Sequence, residues 1–222
     1  MIYLIPTPIG NLEDITLRAL RLLKESDLIL AEDTRVSIKL LKHYGITTSL
    51  ESFHMYNEHK KTPRVIEQLT KGMTISVISD AGTPGVSDPG FLLVRSALEA
   101  NVEIQCLPGA TALIPALVQS GIPCDRFNFE GFLPPKKGRI SRLKVMALES
   151  KIEVFYESPH KLIKLFDQMI PLFGGDRKLA VVREISKLYE STFRGSIEEA
   201  ISFFQDHSPK GEFVIVIEGV KK

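Results

Sequence analysis

Several features that commonly reveal a protein's function are missing from this sequence of 222 residues. It has two cysteines, Cys106 and Cys124, without CxxC spacing, which argues for a reducing compartment and against a zinc site. The net charge of +1 gives no global sign of a polyanionic partner, so any nucleic-acid contact must come from local basic patches. No apolar run approaches the roughly 18 residues of a membrane span, and no signal peptide is recognisable. We therefore expect a globular, cytoplasmic protein without a membrane segment.

The common nucleotide-binding and hydrolase signatures are absent as well. The sequence has no GxxxxGK[ST], no strand followed by GxGxxG, no GxSxG and no HExxH. Its five histidines are scattered without ligand spacing, so we predict no metal site. Nothing identifies a nucleophile for a Ser/His/Asp hydrolase. These absences argue against P-loop nucleotidases, dinucleotide-dependent dehydrogenases, serine hydrolases and zinc proteases.

The most informative stretch is a loop at residues 79–90, with the sequence SDAGTPGVSDPG. It follows a β-branched apolar run at 74–78, which predicts a buried strand, and precedes residues 91–95, which predict the start of a helix. Its glycines permit positive φ and its prolines restrict φ, so the loop should be shaped rather than floppy. Most connections of this kind need about two to six residues, and this one is about twice as long. A long, shaped loop at the carboxyl end of a strand indicates a ligand site.

The two halves of the chain have different patterns. Strands and helices alternate at least four times in the first 120 residues, which predicts a mostly parallel sheet with helices on both faces. Turn composition at 121–125 suggests a boundary, giving an N-terminal α/β domain at 1–120 and a C-terminal one at 121–222. In the second half, the runs at 179–184 and 189–193 lie too close for a crossover helix and should pair antiparallel. We therefore expect a two-domain α/β fold with a smaller, mixed C-terminal sheet.

Polar residues cluster where the predicted strands end. If the strands of each half are parallel where the loops suggest, many of these groups face a common crevice, and one site is built by both halves. Caps and turns are an equally simple role for any single residue, since Asp, Asn and Ser commonly satisfy local backbone groups. The clustered residues are Asn11, Asp14, Glu32, Asp33, Arg35, Asp80, Asp88, Glu157, His160, Glu184 and Lys187.

Seven blocks together carry a resemblance, in order, along almost the whole chain. Their sequence resembles the tetrapyrrole methylase family of S-adenosylmethionine-dependent methyltransferases, and within it the branch that acts on small-subunit ribosomal RNA. One block alone is a weak signal, whereas seven in family order are specific. The resemblance implies two α/β domains with S-adenosylmethionine in the cleft between them, and usually a homodimer. The blocks are residues 5–12, 31–35, 79–90, 108–112, 155–160, 183–187 and 211–219.

The resemblance also implies a reaction and a set of cofactor-binding residues. The reaction is methyl transfer to the ribose 2′-hydroxyl of a cytidine in the decoding region of 16S rRNA, either as naked rRNA or in the assembled 30S subunit. Backbone and apolar groups of strand-end loops hold the cofactor in this family, and carbonyl oxygens can face a positive sulfur without a full carboxylate. The residues carried over are Pro8, Ile9, Gly82, Thr83, Val86, Thr111, Ala112 and Tyr156.

A ribose hydroxyl is a weak nucleophile, so a positioned base should help to remove its proton. The candidates are Asp33, Glu32 or Glu184 as the base, with Lys187 or Arg35 steering phosphate or orienting the base. Much of the acceleration should come from the alignment of oxygen, methyl and sulfur.

Two basic clusters are candidate RNA contacts, although each also reads as an ordinary solvated surface. The first comprises Lys136, Lys137, Arg139, Arg142 and Lys144, and the second Lys60, Lys61 and Arg64. Longer relatives carry a further C-terminal segment, which leaves open how strongly this chain holds RNA. Two other functions stay open: methylation of a small molecule such as a tetrapyrrole, which the shared fold permits, and a non-catalytic nucleotide- or RNA-binding module. We expect no DNA partner.

Overall fold

The computed structural model describes residues 1–86, 90–136 and 138–220, and the chain divides into two compact units, Met1–Thr111 and Ala112–Lys222. A five-stranded sheet lies at the centre of each unit. The α/β fold class expected from the alternating pattern is confirmed. Within the described residues, no helix combines the length and the apolarity that crossing a membrane requires.

The first unit is a parallel sheet with helices on both faces. Its strands lie in the order β3-β2-β4-β1-β5, and every neighbouring pair is parallel. The strands are β1 (Ile2–Leu4), β2 (Leu28–Ala31), β3 (Leu50–Ser52), β4 (Ile75–Ile78) and β5 (Ile104–Cys106), and the helices are α1 (Leu17–Glu25), α2 (Thr34–His43), α3 (Glu58–Thr70) and α4 (Phe91–Glu99).

Strand β2 shows why both faces are covered. Successive side chains of a strand point to opposite faces of the sheet, so a strand buried on both sides is apolar throughout. Ile29 and Ala31 pack in a cluster with residues of α1 and α2. Leu28 and Leu30 pack in a second cluster with residues of α3 and α4. The helices therefore cover the faces, and the strand ends are left for loops.

The second unit contains a mixed sheet in the order β6-β7-β10-β8-β9. Strands β6 and β7 are parallel, whereas β7–β10, β10–β8 and β8–β9 are antiparallel pairs. The antiparallel pairing predicted for β8 and β9 is confirmed, although the sheet has as many strands as the first and is not smaller in this respect. The elements are α5 (Leu113–Ser120), β6 (Phe127–Phe132), α6 (Arg139–Leu148), β7 (Ile152–Glu157), α7 (Leu162–Phe173), β8 (Lys178–Arg183), β9 (Ser191–Ser196), α8 (Ile197–Asp206) and β10 (Phe213–Ile217).

Helix α5 decides where the units divide. The sequence pattern placed the boundary after residue 120, with this helix in the first domain. In the structure α5 packs against β8 and β10, and the units divide between Thr111 and Ala112. Ala116 and Leu117 of α5 are buried there. The helix belongs to the second unit because its apolar face packs on that sheet.

Candidate functional site

Four loops lie together at one edge of the first sheet. Because its strands are all parallel, the segments that follow them emerge on the same side. These segments are residues 5–12 after β1, 32–35 after β2, 79–86 after β4 and 107–111 after β5. They contain six of the residues predicted to bind the cofactor and three of the predicted catalytic residues. The positions 87–89, including Asp88, lie outside the described residues.

Thr7 fastens the loop after β1 to the loop after β4. Its backbone N–H donates to the Gly82 carbonyl oxygen at 2.9 Å, and the Gly82 N–H donates to the Thr7 carbonyl oxygen at the same distance. The Thr7 hydroxyl donates to the Ser79 carbonyl oxygen at 3.0 Å, and Thr7 is only 2% exposed. These hydrogen bonds fix the positions of the two loops relative to each other, as expected of a shaped loop.

Two glycines let three loops approach each other closely. Gly82 has φ +77°, and a Cβ built there lies 3.8 Å from Ile9 Cγ2 and 3.9 Å from the Ala110 carbonyl oxygen. A Cβ on Gly109 lies 2.7 Å from Pro6 Cβ, closer than such atoms can come. The loops after β1, β4 and β5 thus meet around the space that a side chain on Gly82 would occupy. The sequence indicated the importance of Gly82 but not the contact between Pro6 and Gly109.

The other predicted cofactor residues of this unit surround that point with varying exposure. Pro8, Ile9, Thr83 and Thr111 are half-buried, and Val86 is exposed. None of these five side chains is charged, and Thr83 and Thr111 add hydroxyl groups to the apolar side chains and the main chain of the surface around Gly82.

Asp33 lies beside this surface, where it is the N-cap residue of α2 and forms an ion pair with Arg35. Its carboxylate accepts a hydrogen bond from the Arg35 backbone N–H at 2.8 Å and contacts the Arg35 guanidinium through Nε at 3.0 Å and Nη2 at 2.6 Å. The side-chain hydrogen bond to Arg35 lowers the pKa of Asp33 to about 2. A carboxylate with so low a pKa is a poor proton acceptor. The structure therefore favours a capping role for Asp33 over the predicted role as base.

Asp80, the second residue of the loop after β4, has the opposite electrostatic environment. Its Oδ1 accepts the Asp33 backbone N–H at 3.0 Å, and its own N–H donates to Glu32 Oε2 at 3.4 Å. Partial burial raises the pKa of Asp80, and the negative charge of Asp33 raises it further. The hydrogen bond from the Asp33 N–H and the positive charge of Arg35 act in the opposite direction, but the net shift is upward. The pKa values of two neighbouring carboxyl groups are thus shifted in opposite directions, a pattern that is frequent in catalytic sites. The sequence placed Asp80 at a strand end but did not suggest it as a base, because its contact with the Asp33 N–H joins residues that are far apart along the chain.

In the second unit, the strand registers bring several loops to one edge of the sheet. Phe132 pairs with Tyr156, and Phe213 pairs with both Glu157 and Arg183, so the carboxyl ends of β6, β7 and β8 lie on the same side. Tyr156 lies near the rings of Phe129 and Phe132, with both centroid distances 5.3 Å. Ala112 is the N-cap residue of α5.

The loop between β8 and β9 is held by Glu184 and Lys187. Glu184 Oε1 accepts the Lys187 ammonium at 3.0 Å and the Glu212 backbone N–H at 2.8 Å. Burial acts to raise the pKa of Glu184, but the hydrogen bonds from Glu212 and Lys187 outweigh it, and the net shift is downward. Glu184 also has φ +51°, and a side chain at Gly211 would collide with it. These contacts favour a structural role for the pair over the predicted catalytic one.

The predicted RNA-contacting cations have different environments. Arg139 is 6% exposed and forms a buried ion pair with Glu157, while its Nε donates to Gln168 Oε1 at 3.0 Å. It is therefore not accessible to a phosphate, which corrects the prediction. Nothing in the local sequence around Arg139 indicates this burial, because Glu157 belongs to a different element, β7.

The remaining cations of the two clusters are nearer the surface, but several of them already lie close to carboxylates. Arg142 is paired with Glu130, and Arg64 and Lys61 are both close to Glu51. Lys60, Lys136 and Lys144 are exposed. Lys137 lies outside the described residues.

Comparison with known proteins identifies the family of this chain. The sequence profile of the family described as "Tetrapyrrole (Corrin/Porphyrin) Methylases" matches residues 1–201. A protein of Synechocystis sp. named "Ribosomal RNA small subunit methyltransferase I" is 47% identical, over 99% of this chain and 79% of the relative. A protein of the same name from Thermotoga maritima is 43% identical, over 97% of each chain.

Among solved structures, diphthine synthase superposes with a TM-score of 0.76, over 98% of this chain and 89% of that one. At 13% identity this likeness concerns the fold alone. The profile match and the close relatives extend over the strand-end loops described above, in both units. The chain therefore belongs to the tetrapyrrole methylase family of S-adenosylmethionine-dependent methyltransferases.

Proposed function

We propose that this protein methylates the ribose 2′-hydroxyl of a cytidine in the decoding region of 16S rRNA, using S-adenosylmethionine. The observation that carries the proposal is the meeting of the loops after β1, β4 and β5 at Ile9, Gly82 and Ala110. The names of the relatives at 43–47% identity indicate the RNA substrate. The cytidine and its 2′-hydroxyl come from the family resemblance of the sequence blocks.

The residues around Gly82 fit the cofactor in chemistry. The absence of a side chain there leaves a small cradle bordered by the Ile9 side chain and the Ala110 carbonyl oxygen. Main-chain oxygens tolerate a positive sulfur, and apolar groups pack against the rest of a nucleoside. When bound, S-adenosylmethionine supplies a methyl group on a sulfonium whose sulfur leaves as a neutral thioether. The residues proposed to hold it are Pro8, Ile9, Gly82, Thr83, Val86 and Thr111 in the first unit and Ala112 and Tyr156 in the second.

The contacts of the predicted catalytic residues change how we rank them as candidates. Glu32 stays a candidate for the proton acceptor or for its support, because its carboxylate lies beside the Asp80 N–H. Asp33 and Glu184 are committed to cation pairs and backbone N–H groups, which support structural functions instead. Arg35 and Lys187 stay proposed phosphate-steering or orienting residues, and each would have to share its charge with the carboxylate that it already contacts.

The proposed partners follow from the reaction. Small-subunit rRNA, naked or in the 30S subunit, requires exposed cations, and Lys60, Lys136 and Lys144 supply them. We further propose a homodimer, on the family resemblance, and a cytoplasmic location, because ribosomes are assembled there.

A gene-deletion strain tests the function directly. Mass spectrometry and primer extension of 16S rRNA should show one 2′-O-methylcytidine lost in the deletion strain and restored by the wild-type gene. An unchanged methylation pattern would overturn the rRNA assignment. Calorimetry with S-adenosylmethionine tests the enzyme class separately, since a non-catalytic RNA-binding module should release no heat. Methylation of a tetrapyrrole acceptor without methylation of rRNA would favour the small-molecule alternative.

A further inference from the structure

We propose that Asp80 is the general base that accepts the proton of the acceptor hydroxyl. The proposal rests on the proposed function, because it takes the acceptor to be a ribose 2′-hydroxyl. It assigns to the loop after β4 a chemical step in addition to its proposed part in cofactor binding.

The first argument is position. Asp80 lies two residues before Gly82, in the loop that Thr7 fastens to its neighbour by a pair of 2.9 Å hydrogen bonds. Its exposed side chain stands at the carboxyl edge of the parallel sheet, beside the surface proposed to hold the cofactor. A base must lie within hydrogen-bond reach of the reacting hydroxyl, which itself must be close to the transferred methyl group.

The second argument is orientation. The Asp33 N–H binds Oδ1 of Asp80 at 3.0 Å, and Glu32 lies at the Asp80 N–H. Both contacts come from the loop after the neighbouring strand β2, and they hold Asp80 in place. Within the described part of the chain, no hydrogen bond engages the other oxygen, Oδ2. The carboxylate is thus oriented through one oxygen and has a second oxygen available to a ligand.

The third argument is the contrast with Asp33. Both oxygens of Asp33 contact the Arg35 guanidinium, so its lone pairs are occupied and its pKa lies near 2. Asp80 has no such direct cation pair among the described residues, and burial raises its pKa. Of the two neighbours, Asp80 is the better proton acceptor, because basicity follows the pKa.

The proton balance of the step is simple. The hydroxyl oxygen forms its bond to the methyl carbon, the departing sulfur keeps the electron pair of the broken carbon–sulfur bond, and the hydroxyl proton moves to Asp80 Oδ2. The products are a methyl ether, a neutral thioether and a protonated Asp80, which returns its proton to water. No metal or further reactant is required.

The test compares Asp80→Asn with Asp27→Asn in the full-length protein. Asparagine keeps an oxygen for the Asp33 N–H but cannot take the proton. Asp27 is a matched control, because its Oδ2 likewise accepts a backbone N–H from another segment, Thr74 at 2.7 Å, at the opposite end of β4. With 30S subunits from the deletion strain, we expect Asp80→Asn to lower kcat by about 10²–10⁴-fold. We expect Asp27→Asn to retain wild-type turnover.

Two further measurements separate a base from a cofactor ligand. Calorimetry should give Asp80→Asn and wild type the same Kd for S-adenosylhomocysteine within about twofold, below the tenfold change that 1.4 kcal/mol produces. Carboxyl-carbon NMR titration of the free protein should show Asp80 titrating at a higher pH than Asp33. The wild-type rate should rise with pH through the Asp80 titration, and the asparagine variant should lack this rise.

Three results would overturn the proposal: retained turnover in Asp80→Asn, a Kd weakened in proportion to the loss of rate, or an Asp80 that titrates below Asp33. Failure of the proposed function is distinguishable, because the wild-type enzyme would then leave the 30S subunit unmethylated. In that case the assignment of Asp80 as base would fail with it.

Discussion

Thr7 and Gly82 exchange two backbone hydrogen bonds of 2.9 Å, although they belong to loops that follow different strands. The strands themselves, β1 and β4, are parallel neighbours in the sheet. The bridge extends their contact beyond the sheet as a short antiparallel pair. The proposed cofactor surface is therefore supported by main-chain contacts, which do not depend on long side chains.

The first prediction concerns Gly82→Ala. With φ +77°, an alanine there adopts a left-handed conformation that costs about 1–2 kcal/mol, and its Cβ enters the space beside Ile9 and Ala110. We expect the affinity for S-adenosylmethionine to fall by about fivefold or more, as measured by calorimetry. Gly72→Ala is the control, because Gly72 has φ +94° with no heavy atom within 4 Å of a built Cβ. Equal Kd values for the two variants would contradict a binding role for Gly82.

The second prediction concerns the contact between Gly109 and Pro6. A Cβ at Gly109 lies 2.7 Å from Pro6 Cβ and 3.0 Å from Pro6 Cγ. Gly109→Ala should lower the free energy of unfolding by about 1–3 kcal/mol, because the loops after β1 and β5 must move apart. Urea denaturation measures this change. In a Pro6→Gly background the same substitution should cost clearly less, and an identical cost would show that the clash does not exist.

The third prediction concerns the buried pair Arg139–Glu157. The two side chains are 7% and 4% exposed, so removing one partner leaves a buried charge without compensation. Arg139→Met should reduce the free energy of unfolding by about 3–5 kcal/mol. Arg21→Ala breaks a pair whose side chains are 57% and 55% exposed, and it should cost less than about 1 kcal/mol. If Arg139→Met is as mild as this control, Arg139 has no structural function.

The fourth prediction concerns Glu153, which is 1% exposed. Its Oε1 accepts Asn128 Nδ2 at 2.7 Å, while Oε2 is buried and, among the described residues, has no partner. Burial raises the pKa of Glu153 to about 7. Because the pKa of the folded state lies above that of the unfolded state, the contribution to stability is complete at low pH and is lost as the pH rises through 7.

The difference between wild type and Glu153→Gln isolates this effect, since glutamine cannot ionise. From pH 4 to pH 8, wild type should lose about 3 kcal/mol more of its free energy of unfolding than the variant does. Urea denaturation at a series of pH values supplies the two curves. Parallel curves would mean that Glu153 ionises normally in the folded protein.

The positions of the strands and of the loops that follow them could be predicted from local sequence. The run at 74–78 predicted β4 (Ile75–Ile78), and the start of α4 was expected at Phe91, where it occurs. These predictions succeed because apolar periodicity and glycine or proline geometry depend on neighbouring residues only. The seven ordered blocks likewise indicated the family through the identity and order of their residues alone.

The tertiary structure alone decided which polar residues are free to act. Asp33 and Asp80 both follow a predicted strand, and of the two the sequence suggested only Asp33 as a base, whereas the Arg35 contacts and the partial burial of Asp80 shift their pKa values in opposite directions. Arg139 belongs to a basic stretch, yet Glu157 from the end of β7 holds it in the interior. The contact of Asp33 with Arg35 is local, but the partners of Asp80 and Arg139 are distant along the chain, and only folding brings them together.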